Sequence, residues 1–145
     1  MNKADIQKLR IDIVSGSESA LSMLVCRDGT LGRQGSGKLP ADTAAVRGTS
    51  DGKAFSTLID MLDERVFPHA NVYDHPDKPG LPITYSVAFL GKGEDVAVFE
   101  FRFGSETRDV GELLPYVDVF IGQAIALTND WYEQEKAKLK AGSVH

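Results

Sequence analysis

The stretch ITYSVAFLGKGEDVAVFEFRF, Ile83 to Phe103, decides the fold. Ile83, Tyr85, Val87 and Phe89 alternate with Thr84, Ser86 and Ala88, the period of two of a strand with unlike faces. Gly91-Lys92-Gly93 then turns the chain into a second run, Val96 to Phe103. There Phe99, Phe101 and Phe103 share one side while Val98, Glu100 and Arg102 share the other. The phenylalanine side is expected to face a core, and the opposite side water.

Toward the N-terminus, Leu9, Ile11 and Ile13 alternate with Lys8, Arg10 and Asp12, which marks another half-buried strand. SGSES, residues 15–19, closes it, and Leu21, Met23 and Val25 then alternate with Ser22, Leu24 and Cys26. Asp28-Gly29 favours a tight reversal because glycine accepts positive φ. The reversal predicts a short third strand over residues 30–34. Residues 35–52 are small and polar, with Pro40 and Gly48, and read as a loop or mobile arm.

Phe55, Leu58, Ile59, Leu62 and Val66 trace the stripe of an amphipathic helix, with Ser50 or Asp51 as N-cap and Pro68 as its end. The proline-rich segment 69–82 reads as an irregular crossing loop. Leu113, Val117, Phe120, Ile121, Ala124, Thr128 and Trp131 trace a second helix, in which Pro115 is tolerated because it falls in the first turn. This stripe assigns Trp131 to the core and Tyr132 to solvent. The order predicts a single α+β domain over residues 1–145: an antiparallel sheet of four to five strands, built from two hairpins, with two helices packed on one face.

Composition narrows the function. With 21 acidic against 16 basic side chains the net charge is -5, which opposes approach to nucleic-acid phosphates or an anionic membrane surface. No apolar run approaches the ~20 residues of a membrane-spanning helix, and the N-terminal segment lacks the apolar region of a secretory signal. Cys26 is the only cysteine, so no intrachain disulfide can form, which fits a reducing cytoplasm. A cytoplasmic chain with neither nucleic acid nor membrane as partner is expected.

Four motifs suggest chemistry. Gly32, Gly37 and Lys38 match the G-x-x-x-x-G-K part of a phosphate-binding loop, but Leu39 stands where Ser or Thr would hold Mg²⁺, and Pro40 bars a helix from starting there. We read the stretch as a Gly/Ser turn. His69, Asp74, His75 and Asp77 are metal-ligating types at a spacing that matches no helical or knuckle arrangement, so no metal or other cofactor is expected. Cys26 on a strand reads as a small buried hydrophobe rather than a nucleophile with a middle-loop His as base. Glu100 and Arg102, with Glu106, Arg108 and Asp109 just beyond, form a charged group on the wet side of the second hairpin.

No reaction motif emerges, and the reading is a non-enzymatic domain that binds another protein, of the kind that includes bacterial immunity and inhibitor proteins. Glu100, Arg102, Glu106, Arg108 and Asp109 are the expected partner-binding residues, around an apolar centre of Val96 and Val98. A symmetric homodimer through the same face is the other occupant considered. The alternative function is a small-ligand protein or enzyme, with a polar pocket between sheet and middle loop using Glu100, Arg102, His69 or His75.

Overall fold

β1 (Lys8–Ser15) and β2 (Glu18–Cys26) pair antiparallel, with Leu9 opposite Val25, Ile11 opposite Met23 and Ile13 opposite Leu21. A computed structural model describes residues 1–38, 42–75, 83–103 and 113–143 of the chain. β3 (Thr30–Gly35) follows β2 after the Asp28-Gly29 turn. Gly29 has a φ of +96°, and a Cβ there would stand 2.7 Å from the carbonyl oxygen of Ser50, so the turn accepts only glycine. Ser50 in return donates its N–H and its hydroxyl to the Gly29 carbonyl, at 2.8 and 2.7 Å, and so fastens the turn to the segment entering α1 (Lys53–Met61).

The hairpin of Ile83 to Phe103 forms as read. β6 (Ile83–Leu90) and β7 (Val96–Phe103) pair antiparallel with Val87 opposite Phe99 and Tyr85 opposite Phe101, and β6 pairs along its other side with β1. Two further strands extend the sheet at its edges. β4 (Ala45–Thr49) lies against β3, and β5 (Val72–His75) runs parallel to β7. The order is β4-β3-β2-β1-β6-β7-β5, so the expected antiparallel sheet of four to five strands is a mixed sheet of seven.

Both added strands lack the signal that reveals a strand. In β4 only Val46 is buried, and Gly48 suggests a loop. Its missing side chain is filled from outside: a Cβ there would meet the Trp131 ring at 3.5 Å. β5 has four residues, too few for an alternation to stand out. Its Tyr73 stacks on Phe101 at 5.1 Å between centroids, with the rings 10° apart. The parallel pairing follows from the path, since the chain leaves one edge of the sheet, crosses its covered face through α1, and returns at the other edge.

Helix α1 is shorter than its stripe. Leu62 is extended and buried, Asp63 accepts a hydrogen bond from the Arg65 N–H, and a 3-10 helix, Glu64–His69, carries Val66 and Phe67 onward with Pro68 inside it. The N-cap is Gly52 in the left-handed region, not Ser50 or Asp51, whose side chains instead accept from the N–H groups of Gly52 and Lys53. Helix α2 (Leu113–Ser143) runs across the same face as α1. Together they bury Leu9, Ile11, Met23, Val25, Val87, Phe99 and Phe101, so one face of the sheet is the core face, with Phe99 and Phe101 turned inward as their alternation predicts.

Candidate functional site

The opposite face of the sheet carries no helix among the described residues. Its side chains fall in rows that the register fixes. One row reads Arg47, Gly32, Leu24, Arg10, Ala88 and Val98; the next reads Ala45, Gln34, Ser22, Asp12, Ser86 and Glu100. Neighbouring strands lie ~4.8 Å apart, so Arg10 and Arg47, three strands from one another, stand about 14 Å apart at the backbone. Between them Gly32 has no side chain, and a depression of about 220 Å³ opens there, walled by Arg10, Ser22, Leu24, Gln34 and Arg47.

Charge on this face differs from that of the whole chain. Lys8, Arg10, Arg47 and Arg102 stand against Asp12 and Glu100 among its described side chains, so the face is basic on a protein of net charge -5. Arg10 pairs with Asp12 at 3.1 Å and Arg102 with Glu100 at 2.6 Å. Neither Lys8 nor Arg47 has an ion pair among the described residues. Toward the β7 edge the face turns apolar, with Val72, Val96 and Val98 exposed by 47%, 55% and 39%.

The expected partner-binding residues divide. Glu100 and Arg102 stand on the open face, Glu100 half-buried and Arg102 exposed. Glu106, Arg108 and Asp109 lie outside the described residues. Sequence reasoning missed Arg10, Gly32 and Arg47. Gly32 falls in the short third strand that the sequence predicts, and the structure places it on the open face, between the inward Leu31 and Arg33. That parity was the available signal.

The phosphate-loop stretch is built differently from a phosphate cradle. Gly32 to Gly35 belong to β3, and Gly37 donates its N–H to Ala20. Arg33 turns inward to 4% exposure, donating Nε to the Gly35 carbonyl and Nη1 to Thr128 Oγ1 at 3.1 Å and to the Ile125 carbonyl at 3.2 Å. Its guanidinium sits 4.6 Å from the centre of the Tyr132 ring. Burial pulls it below the ordinary arginine value, opposed by the nearby Tyr132, Glu133 and Asp42. Tyr132, expected in solvent, is 2% exposed; its hydroxyl donates to Ala44 at 2.6 Å and accepts from the Gly35 N–H at 3.0 Å. Trp131, expected in the core, is half-buried and donates Nε1 to Thr49. The buried row continues in steps of four through Ala124, Thr128 and Tyr132, which leaves Trp131 at its flank over β4. Lys136 adds a bond of 2.7 Å to Asp42, which holds that carboxyl below its usual range.

The remaining candidates stay apart. Cys26 is free and buried; burial first, then Asp28, pushes its thiol above the ordinary value, the reverse of what activates a nucleophile. His69 is exposed at the end of the 3-10 helix. Asp74 and His75 belong to β5, and Asp77 lies outside the described residues. Among the described residues no three metal-ligating side chains come together. An open hollow of about 570 Å³ lies between the 3-10 helix and the start of β7, walled by Met1, Glu64, Phe67, Pro68, Asp95 and Val96. Neither Glu100, Arg102 nor His69 lines it. No described helix is long and apolar enough to cross a membrane. The fold and this face define an α+β protein in which, among the described residues, helices cover one face of the sheet and leave the other bare. No protein-family model, curated protein or solved structure matches the chain.

Proposed function

We propose that the protein works by binding another protein through the bare face of its sheet. The supporting observation is the exposure of Val72, Val96 and Val98 beside the Glu100–Arg102 pair. No element among the described residues covers these three valines on neighbouring strands, and an apolar centre with a charged border is the layout of a protein interface. A partner of this kind is neutralised or held rather than chemically changed, as with an immunity or inhibitor protein.

Affinity capture from the lysate of the source cell, run in parallel with wild type and Val98→Asp, tests the reading. A protein retained by wild type and lost by at least ~10-fold with Val98→Asp supports it. Sedimentation should show both forms as the same monomer with the same melting temperature. Equal retention by both forms, or a wild-type dimer that Val98→Asp dissociates, would overturn it in favour of another surface or of self-association.

A further inference from the structure

We infer that the depression over Gly32 is a receptor for carboxylate side chains, so that the partner presents a short acidic stretch to the β1–β4 half of the bare face. The inference rests on the protein-binding reading above and adds the chemistry of the partner.

Four polar groups converge on the depression. The Arg47 side chain has no hydrogen bond or ion pair among the described residues, and Ser22 and Gln34, both half-buried in its wall, have side chains without a hydrogen bond there. Arg10 uses Nε for Asp12, and its two η nitrogens make no hydrogen bond among the described residues. Guanidinium N–H groups, a hydroxyl and an amide are the donors a carboxylate accepts from, and a planar guanidinium can give it two parallel bonds. Leu24 supplies an apolar wall for the methylenes of a Glu or Asp.

The vacancy depends on Gly32 having no side chain. A Cβ there would meet Leu24 Cβ at 3.6 Å and the Val46 carbonyl oxygen at 3.9 Å, ordinary contacts that would leave the strand intact. A side chain is therefore tolerated by the fold and would fill the receptor. Charge then selects the occupant. The local cations act within the ~8–10 Å over which salt screens charge, so they outweigh the net charge of -5 at contact. A long polyanion would extend beyond the basic rows onto the acidic remainder of the protein. A short acidic peptide segment would not, which favours it over nucleic acid.

The test uses a fluorescent peptide alternating Glu and Ser, its Gln-for-Glu counterpart, and single-stranded DNA of equal charge, each titrated against the intact protein with amide shifts recorded. The Glu peptide should bind, should shift the amides of Gly32, Gln34 and Arg47, and should weaken as salt rises. Gly32→Val and Arg47→Glu should each weaken it at least ~10-fold while Val98→Asp leaves it unchanged. Arg47 is exposed, so its variant folds even if Gly32→Val does not. Equal binding of the Gln peptide, tighter binding of the DNA, shifts gathered elsewhere, or no binding would overturn the inference. In the capture experiment, loss with Val98→Asp but not with Arg47→Glu overturns this inference and leaves the protein-binding reading standing. Retention of the partner by Val98→Asp overturns that reading itself.

Discussion

At the β6–β7 end of the covered face, ring packs against ring. Phe89 meets Phe67, Phe99 and Phe120 edge-on at 5.5 to 6.0 Å, and Tyr73 lies flat on Phe101. At the β3–β4 end the same face holds Arg33 against Tyr132 and Thr128. Phe101, Tyr132 and Arg33 are nearly equally buried, at 0%, 2% and 4% exposure. What differs is the source of stability. The rings gain by leaving water, whereas a buried guanidinium costs free energy unless its donors are met, so the arginine end depends on fixed hydrogen bonds. Helix α2 serves both ends, giving Val117, Phe120 and Ile121 to the first and Thr128, Tyr132 and Lys136 to the second.

The largest expected effect lies at the aromatic end. Phe101→Ala removes a wholly buried ring and the partner of Tyr73, and should cost ~3–5 kcal/mol in urea denaturation. Arg102→Ala, one residue along on the bare face, removes an exposed ion pair and should cost well under ~1 kcal/mol. Similar losses at both would mean that β7 is covered on both sides. Tyr132→Phe comes next. It keeps the ring on Arg33 but strips the Gly35 N–H of its acceptor and the Ala44 carbonyl of its donor, for an expected loss of ~1–3 kcal/mol. Faster hydrogen exchange at the Gly35 amide should accompany it. A cost of only a few tenths would show that the arginine end, too, is held by packing.

The same contrast explains what was legible in the sequence. Alternation exposes a strand when inward residues are apolar and numerous, so β1, β2, β6 and β7 were readable, and with them the inward Phe99 and Phe101. In β3 the inward set is Leu31, Arg33 and Gly35, a charged and a missing side chain in two of three places. Polar residues count as outward in any such pattern, so a buried Arg33 leaves no trace. The bond partners of Arg33 and Tyr132 lie about ninety residues away along the chain, and pairing at that separation is not encoded locally. Of the candidate site, the pair Glu100 and Arg102 was readable because it belongs to the clear hairpin. The Arg10–Gly32–Arg47 row was not, because it joins strands β1, β3 and β4 through a register that only the folded sheet supplies.

The smallest expected effect is electrostatic, and it separates the two ends once more. Asp63, at the aromatic end, is held down to about 2, first by the side-chain hydrogen bond from Arg65, two residues away. Asp42, at the arginine end, is lowered first by Lys136, which reaches it from α2 across 94 residues of chain. A folded-state value below the ordinary aspartate value of ~3.9 means that the carboxylate stabilises the fold above that pH, and that the contribution disappears as pH falls through the folded value. For Asp63 the window runs from about 4 down to about 2. Asp118 works in the opposite sense, because partial desolvation of an otherwise exposed side chain raises it, but that effect is common to all variants and cancels between them. Melting temperature against pH should therefore fall on the acid side for wild type and flatten in both Asp63→Asn and Asp42→Asn. Asp42→Asn should flatten it more. Its ion pair joins distant parts of the chain and is half-shielded, with side chains 34% and 20% exposed, while the Arg65 side chain is 90% exposed and closes only a local turn. If Asp63→Asn changed the acid limb more than Asp42→Asn, the long-range bond from Lys136 would not be holding the arginine end together. The stability there would then rest on Tyr132 and Arg33 alone.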